Sequence, residues 1–381
     1  MERFQIQVAD AVLEDLKQRL ARTRFPDQLD GADWGYGTEL SYLRELVAYW
    51  RDKYDWRKHE RALNEFDHWK ARVRDLSLHF IHQRSREPNA FPIVITHGWP
   101  GSVYEFHKII GPLTDPVAHG GSREDAFHVV CPSMPGYGWS EAPRKSGFDI
   151  AEVSATNAAL MAQLGYTRYG AQGGDWGAIA TAHLGRVDPQ HVAGIHMNML
   201  VAGPPAGVPN PMEGVTPEEL AWMGEVGNFQ KNETGYQQIQ GTKPQTLGYG
   251  LNDSPAGLAA WIVEKFRTWS DCKGNVESRF TKDELLTNVM IYWVTQSITS
   301  STRLYCETMR AGRFGAAGEK IAVPTGGAIF PKEIYKAPRK WAEAAFDLRH
   351  WSVFKSGGHF AALEEPDALV GDIRAFFRKL R

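Results

Sequence analysis

Cysteine is scarce in this chain of 381 residues: Cys131, Cys272 and Cys306 stand far apart. That scarcity excludes a disulfide framework, and the spacing holds no zinc motif. Each thiol is expected to be a small buried filler. An excess of one charge is also missing, since 43 Lys and Arg stand against 45 Asp and Glu, for a net charge of -2. Without a basic patch interleaved with aromatics, nucleic acid is not an expected partner. Long apolar runs are absent too, and no stretch reaches the ~18 residues of a membrane-spanning helix. The N-terminal segment carries Glu2, Arg3, Asp10, Glu14, Asp15, Lys17, Arg19, Arg22 and Arg24, which leaves no apolar heart for a secretory signal. A cytoplasmic protein without a membrane anchor is therefore expected. No Walker A or H-E-x-x-H motif occurs, and Gly136-Tyr137-Gly138 lacks the third glycine of a dinucleotide fingerprint. The sequence thus implies no cofactor and no metal.

What is present is enough apolar residue, 43%, to bury a substantial core. Residues 1-90 read as an N-terminal extension. In it Phe4, Ile6 and Val8 alternate as in a strand, and Val12, Leu13, Leu16 and Leu20 recur at helical spacing after a cap at Asp10. Leu40, Leu43, Leu46, Val47 and Trp50 make a second helical face. From 91 onward short apolar runs alternate with helical patterns, which is the signature of a parallel sheet covered on both faces. The runs are Pro92 to Thr96, Phe127 to Cys131, Tyr169 to Gln172, Val192 to His196, Ile321 to Val323 and Trp351 to Lys355. Roughly 120 residues separate the fourth run from the fifth, about ten times the dozen that a parallel crossover needs. The surplus predicts an inserted helical lid. Ser254-Pro255 and the Thr281/Glu284 capping box mark starts of its helices. The expected division is 91-200 with 318-381 for an α/β core, and 201-317 for the lid.

The most informative segment is Ala171-Gln172-Gly173-Gly174-Asp175-Trp176-Gly177-Ala178, which has the small-x-nucleophile-x-small spacing of a strand-to-helix elbow. Alone, the pentapeptide would equally suit an ordinary turn. Its context is the strand-turn-helix order an elbow needs, because Tyr169 to Gln172 precede it and Ile179, His183 and Leu184 share one helical face after it. At the tip stands Asp175. A serine there must first be deprotonated, whereas an aspartate is ionised at neutral pH without help. Such a nucleophile suits attack on an alkyl carbon bearing a leaving group, as in an epoxide or an alkyl halide, and leaves an ester.

Three further pieces complete the constellation. His97-Gly98-Trp99-Pro100-Gly101-Ser102 follows the first core strand, where this architecture takes an oxyanion donor, so the backbone N–H groups of Trp99 and Trp176 are the expected pair. His359, in Ser356-Gly357-Gly358-His359-Phe360, follows the last strand and is the expected base for water. Two acids compete to orient it. Glu333 follows the strand at Ile321, while Asp347 precedes the strand at Trp351, and five strand residues put those sheet edges about 16 Å apart. Glu333 is preferred.

These residues closely resemble the microsomal-type epoxide hydrolases, α/β-hydrolases with an N-terminal extension and a helical lid. The likeness runs through Thr23-Arg24-Phe25-Pro26, Tyr54-Asp55-Trp56-Arg57, His97 to Pro100, Pro132 to Gly138, Gly173 to Gly177, Thr242-Lys243-Pro244, Phe330 to Glu333 and Gly357 to Phe360. The resemblance implies two lid tyrosines that hold and protonate the epoxide oxygen, at Tyr236 and Tyr305; spacing alone does not separate them from Tyr249 and Tyr292. It also implies a small-molecule epoxide and water as partners and a soluble, bacterial-style member without the anchor of mammalian relatives. A homodimer is left open. Two other functions fit the same elbow: a haloalkane or haloacid dehalogenase, and a catalytically silent hydrolase-fold binding protein.

Overall fold

The computed structural model describes residues 1–313 and 319–381. Val94 and Ile95 are fully buried in it because their strand lies between two others and under helices on both faces. The described residues form one nine-stranded sheet. Its strands are β1 (Glu2–Arg3), β2 (His68–Val73), β3 (Leu76–Gln83), β4 (Phe91–Thr96), β5 (Phe127–Pro132), β6 (Tyr169–Gly173), β7 (Val192–Met197), β8 (Ile321–Ile329) and β9 (Phe346–Val353). They lie in the order β1-β2-β3-β5-β4-β6-β7-β8-β9. From β5 to β9 all neighbours are parallel, whereas β1, β2 and β3 join antiparallel. This is an α/β-hydrolase fold.

Residues alternate between two cores as a pleat requires. Ile93, Ile95, Val129 and Cys131 belong to one buried cluster, while Val94 and Val130 belong to the other. The N-terminal helices are α1 (Asp10–Ala21), α2 (Leu40–Asp52) and α3 (Trp56–Leu63). Among the core helices α4 (Ile110–Thr114), α5 (Ile150–Gln163) and α6 (Trp176–Val187), the first packs on one sheet face and the other two on the opposite one. The insertion between β7 and β8 holds α7 (Pro217–Asn232), α8 (Gly235–Thr242), α9 (Pro244–Asp253), α10 (Pro255–Trp269), α11 (Lys282–Thr295) and α12 (Ile298–Arg310). The chain finishes with α13 (Arg339–Ala345), α14 (Ala361–Glu364) and α15 (Pro366–Phe377). Among the described residues no helix is long and apolar enough to cross a membrane.

The predicted caps of α10 and α11 form: Ser254 accepts from the Gly257 N–H, and Thr281 and Glu284 close a capping box. The strand expected at Phe4 to Val8 does not. The Ile6 N–H donates to the Asn64 side chain at 2.8 Å and the Val8 N–H to Glu60 at 2.7 Å, so side chains take the bonds a ladder would have used. Position 10 is the first helical residue and Ala9 the cap. Within the expected 1-90 extension, β2 and β3 are strands of the central sheet. Its helices lean on the insertion, with Tyr49 donating to Asp283 at 2.9 Å, Tyr54 bonded to Thr287 at 3.0 Å and Thr38 donating to the Ala260 carbonyl at 2.7 Å. The border expected between 317 and 318 lies outside the described residues.

Candidate active site

The elbow is built from close backbone approach. β6 ends at Gly173, α6 begins at Trp176, and Asp175 between them has φ 51° and ψ -130°. A non-glycine residue held there costs on the order of 1–3 kcal/mol, and such strain collects at functional sites. The helix can start so abruptly because Gly177 has no side chain; a Cβ there would lie 1.8 Å from the Thr96 carbonyl oxygen. The elbow lifts the Asp175 carboxylate to the carboxyl edge of the parallel strands, the place where open α/β sheets hold ligands.

Three other strand ends converge on it. After β4, the Trp99 N–H donates to Asp175 Oδ1 at 2.8 Å. After β9, His359 Nε2 lies 3.3 Å from Asp175 Oδ2. After β8, Glu333 Oε1 accepts from His359 Nδ1 at 2.6 Å and from the Ile334 N–H at 2.7 Å. The other acid, Asp347, sits at the amino end of β9 opposite Pro324 and pairs with Arg349 at 2.8 Å. The His359 backbone is anchored as well, its N–H donating to the Trp269 carbonyl at 3.0 Å. Burial alone would lower the pKa of the His359 imidazole. The Glu333 charge and the hydrogen bonds to Asp175 and Glu333 outweigh it and hold the pKa well above the usual histidine range.

Two phenols face this line of charge from the insertion between β7 and β8. Tyr236 on α8 and Tyr305 on α12 are buried, with ring centroids 5.9 Å apart edge to face. Trp99 stacks on Tyr236 at 5.4 Å, and Trp176 meets Tyr305 edge-on at 4.7 Å. Burial, reinforced by the Asp175 charge, pushes both phenols far above their ordinary pKa, so both stay protonated donors. With Asp175 and Trp176 they line a cavity of about 420 Å³ that continues past Ile179, Met199 and Phe229. The other two tyrosines of the insertion lie elsewhere. Tyr292 donates to the Gly101 carbonyl at 2.6 Å, and Tyr249 is 72% exposed.

Some of the machinery is invisible to motif reading. Asn288 of α11 donates to the Pro100 carbonyl at 2.8 Å and accepts from Ser102 at 2.9 Å, which ties the Trp99 loop to α11. The signal was there: Asn288 is a polar residue among buried Leu285, Leu286 and Val289. Glu105 lines a small space together with Gln172, Asp175, Asn198 and His359. Burial drives its carboxyl up to about 8; His359 opposes this and Asp175 adds to it. His97 is a local bonding residue, its ring linked to the Gly98 carbonyl at 2.9 Å and the Met134 N–H at 3.1 Å.

Residues 1–106 match the Epoxide hydrolase N terminus family, and residues 92–232 match the alpha/beta hydrolase fold family. Over 98% of its length the chain is 40% identical to Epoxide hydrolase 1 of Sus scrofa, covering 87% of that protein. The chain belongs to the epoxide hydrolase family. Among solved structures it is similar to the juvenile hormone epoxide hydrolase of the silkworm Bombyx mori, with a TM-score of 0.93, 34% identity, and coverage of 100% of this chain and 94% of that one. The Aspergillus niger epoxide hydrolase gives a TM-score of 0.90 at 29% identity, with coverage of 100% and 96%. Both solved epoxide hydrolases align along the whole of this chain.

Proposed function

We propose that the chain hydrolyses an epoxide to a vicinal diol through a covalent ester on Asp175. The observation that carries this is the placement of a strained carboxylate 3.3 Å from a buried imidazole, at the floor of a cavity roofed by two phenols. Asp175 attacks one epoxide carbon while the C–O bond to the ring oxygen breaks. Tyr236 and Tyr305 donate to that oxygen as it becomes an alkoxide, general-acid help worth about 10² to 10⁴-fold. The ester has no charge, so one of the two anions that kept His359 protonated is gone. Its imidazole then releases a proton, which restores the phenol, and becomes a base oriented by Glu333. Water gives His359 a proton and attacks the ester carbonyl, with the Trp99 and Trp176 N–H groups as donors to the oxyanion. Collapse breaks the bond between the Asp175 carbonyl carbon and the substrate oxygen, which takes the remaining proton of the added water, and this frees the diol and returns the carboxylate. The oxygen that joins the substrate comes from Asp175, and the one from water replaces it.

In this scheme 201–317 act as the lid and the 1–90 extension braces it, supported by the Tyr49, Tyr54 and Thr38 bonds. The apolar lining from Trp176, Ile179, Met199 and Phe229 favours a lipophilic epoxide. A dehalogenase would turn N–H donors toward halide, whereas here the Trp176 side chain hydrogen-bonds Tyr305 and two phenols line the cavity, and a silent binding protein has no use for the hydrogen-bonded line from Glu333 to Asp175. The test is mass spectrometry of the intact protein after exposure to a styrene-type epoxide. His359→Gln is expected to accumulate one adduct with the mass of the substrate, and Asp175→Ala none. A His359→Gln protein that never gains mass with any reactive epoxide would sink the scheme.

A further inference from the structure

α10 carries a buried apolar stripe through Leu258, Ile262 and Trp269, at positions i, i+4 and i+11. The remaining place in that stripe, i+7, is Lys265, and it is 6% exposed. A lysine at a core position breaks the binary pattern of the helix and carries the desolvation cost of a buried ammonium, a departure that natural proteins keep mainly at functional sites. Its Nζ lies over the ring of Tyr236, 4.8 Å from the centroid. It also pairs with Glu264, which accepts in addition from Thr268 at 3.0 Å.

We infer that Lys265 is a positioning residue for the epoxide-opening step, its ammonium stabilising the negative charge that appears on Tyr236 when that phenol gives its proton to the alkoxide. The inference rests on Tyr236 being a proton donor. The charged and titratable groups around the ring divide by sign. Asp175 and Glu264 disfavour a phenolate, and a hydrogen bond with Tyr305 favours it; the Lys265 ammonium lies at the ring face. Glu233 stands further along the same cluster, influenced by both Glu264 and Lys265. A phenol that is buried and beside an anion resists giving up its proton. A cation at the ring face opposes that resistance by direct Coulomb attraction in a site of low dielectric constant. Tyr305 has no cation among the described contacts of its ring, which are with Trp99, Trp176 and Tyr236, and is stabilised instead by a hydrogen bond with the Trp176 side chain. The two phenols therefore differ in that Tyr236 has a cation at its ring face.

The experiment places a polyfluorinated tyrosine at 236 and follows its ionisation by fluorine NMR in the full-length protein with Lys265 native, Lys265→Met, Lys265→Arg and Glu264→Gln. The midpoint is expected to rise by about one pH unit or more with Met, to stay close with Arg, and to fall with Glu264→Gln. Lys265→Gln replaces Met should that variant fail to fold. In the protein with natural tyrosine, Lys265→Met slows single-turnover ester formation by about tenfold or more and leaves ester hydrolysis unchanged, with Tm unaltered or raised because a buried charge is gone. Equal midpoints for native Lys265 and the neutral variants overturn the inference. Tyr236→Phe with undiminished ester formation would instead remove the donor role of Tyr236, and the fluorine titration would still report whether Lys265 acts on that ring.

Discussion

Gly98 lies flat against the side chain of Asp175, so closely that a Cβ built at 98 would come within 2.3 Å of the Asp175 Cβ and of Oδ1. The loop after β4 reaches the carboxylate with its backbone, and the Trp99 N–H at 2.8 Å is the result. Gly98→Ala is expected to push the two segments apart and slow ester formation about 10²-fold, as misplacement by an ångström does. Overpacking should cost about 1–3 kcal/mol in stability. Single-turnover mass spectrometry and urea unfolding read the two effects, and a native rate of ester formation would contradict the contact.

Glu333 holds His359 by charge as well as by geometry. Glu333→Gln keeps an acceptor for Nδ1 and removes the charge, so the imidazole loses its proton at a lower pH. Because the first step uses no base, ester formation should be nearly unchanged, while its hydrolysis falls by roughly 10² to 10⁴-fold. The rising limb of the hydrolysis rate against pH should also move to lower pH. The sign for stability follows from the raised imidazole pKa. That contribution is fully present below the unfolded histidine value near ~6.5 and fades as pH climbs through the folded one, and the Gln variant should show less of it. Rapid-quench kinetics across pH separates the two half-reactions.

Glu105 gives a second pH signature. Folded, it keeps its proton up to about 8, whereas an unfolded glutamate gives it up near ~4.3. Unfolding therefore releases a proton throughout that window, and the stability owed to this group declines as pH rises from the lower value to the upper. Glu105→Gln has no proton to lose. Its unfolding free energy relative to the native protein should increase from pH 5 to pH 8 and then level off, as urea titrations at fixed pH steps would show. A constant difference would mean that the carboxyl is not buried beside Asp175 and His359.

The strand and helix pattern of the core was legible because each central strand is buried on both faces and so reads as an unbroken apolar run; β4 through β7 lie within two residues of where those runs fall. The edge of the sheet was less so. Phe4 to Val8 alternates like a strand, but Asn64 and Glu60 capture its backbone. β9 starts at Phe346, ahead of the apolar run, because the β8 edge pairs with Asp347 and Leu348 regardless of their hydropathy. Local pattern reports burial, and pairing depends on a neighbour that is distant in sequence.

Within the site, the sequence by itself determined the chemistry available: a carboxylate at a glycine-flanked elbow, a histidine and an acid after later parallel strands, and an insertion long enough for a lid. Chain order along a parallel sheet is enough to bring those strand ends to one edge. Only the tertiary structure decided which tyrosines look into the cavity, which loop Asn288 holds, and that Lys265 sits over Tyr236. The physical reason is that these contacts join helices of the insertion to one another and to loops of the core, where direction is set by packing, and no local periodicity encodes the angle at which separate elements meet.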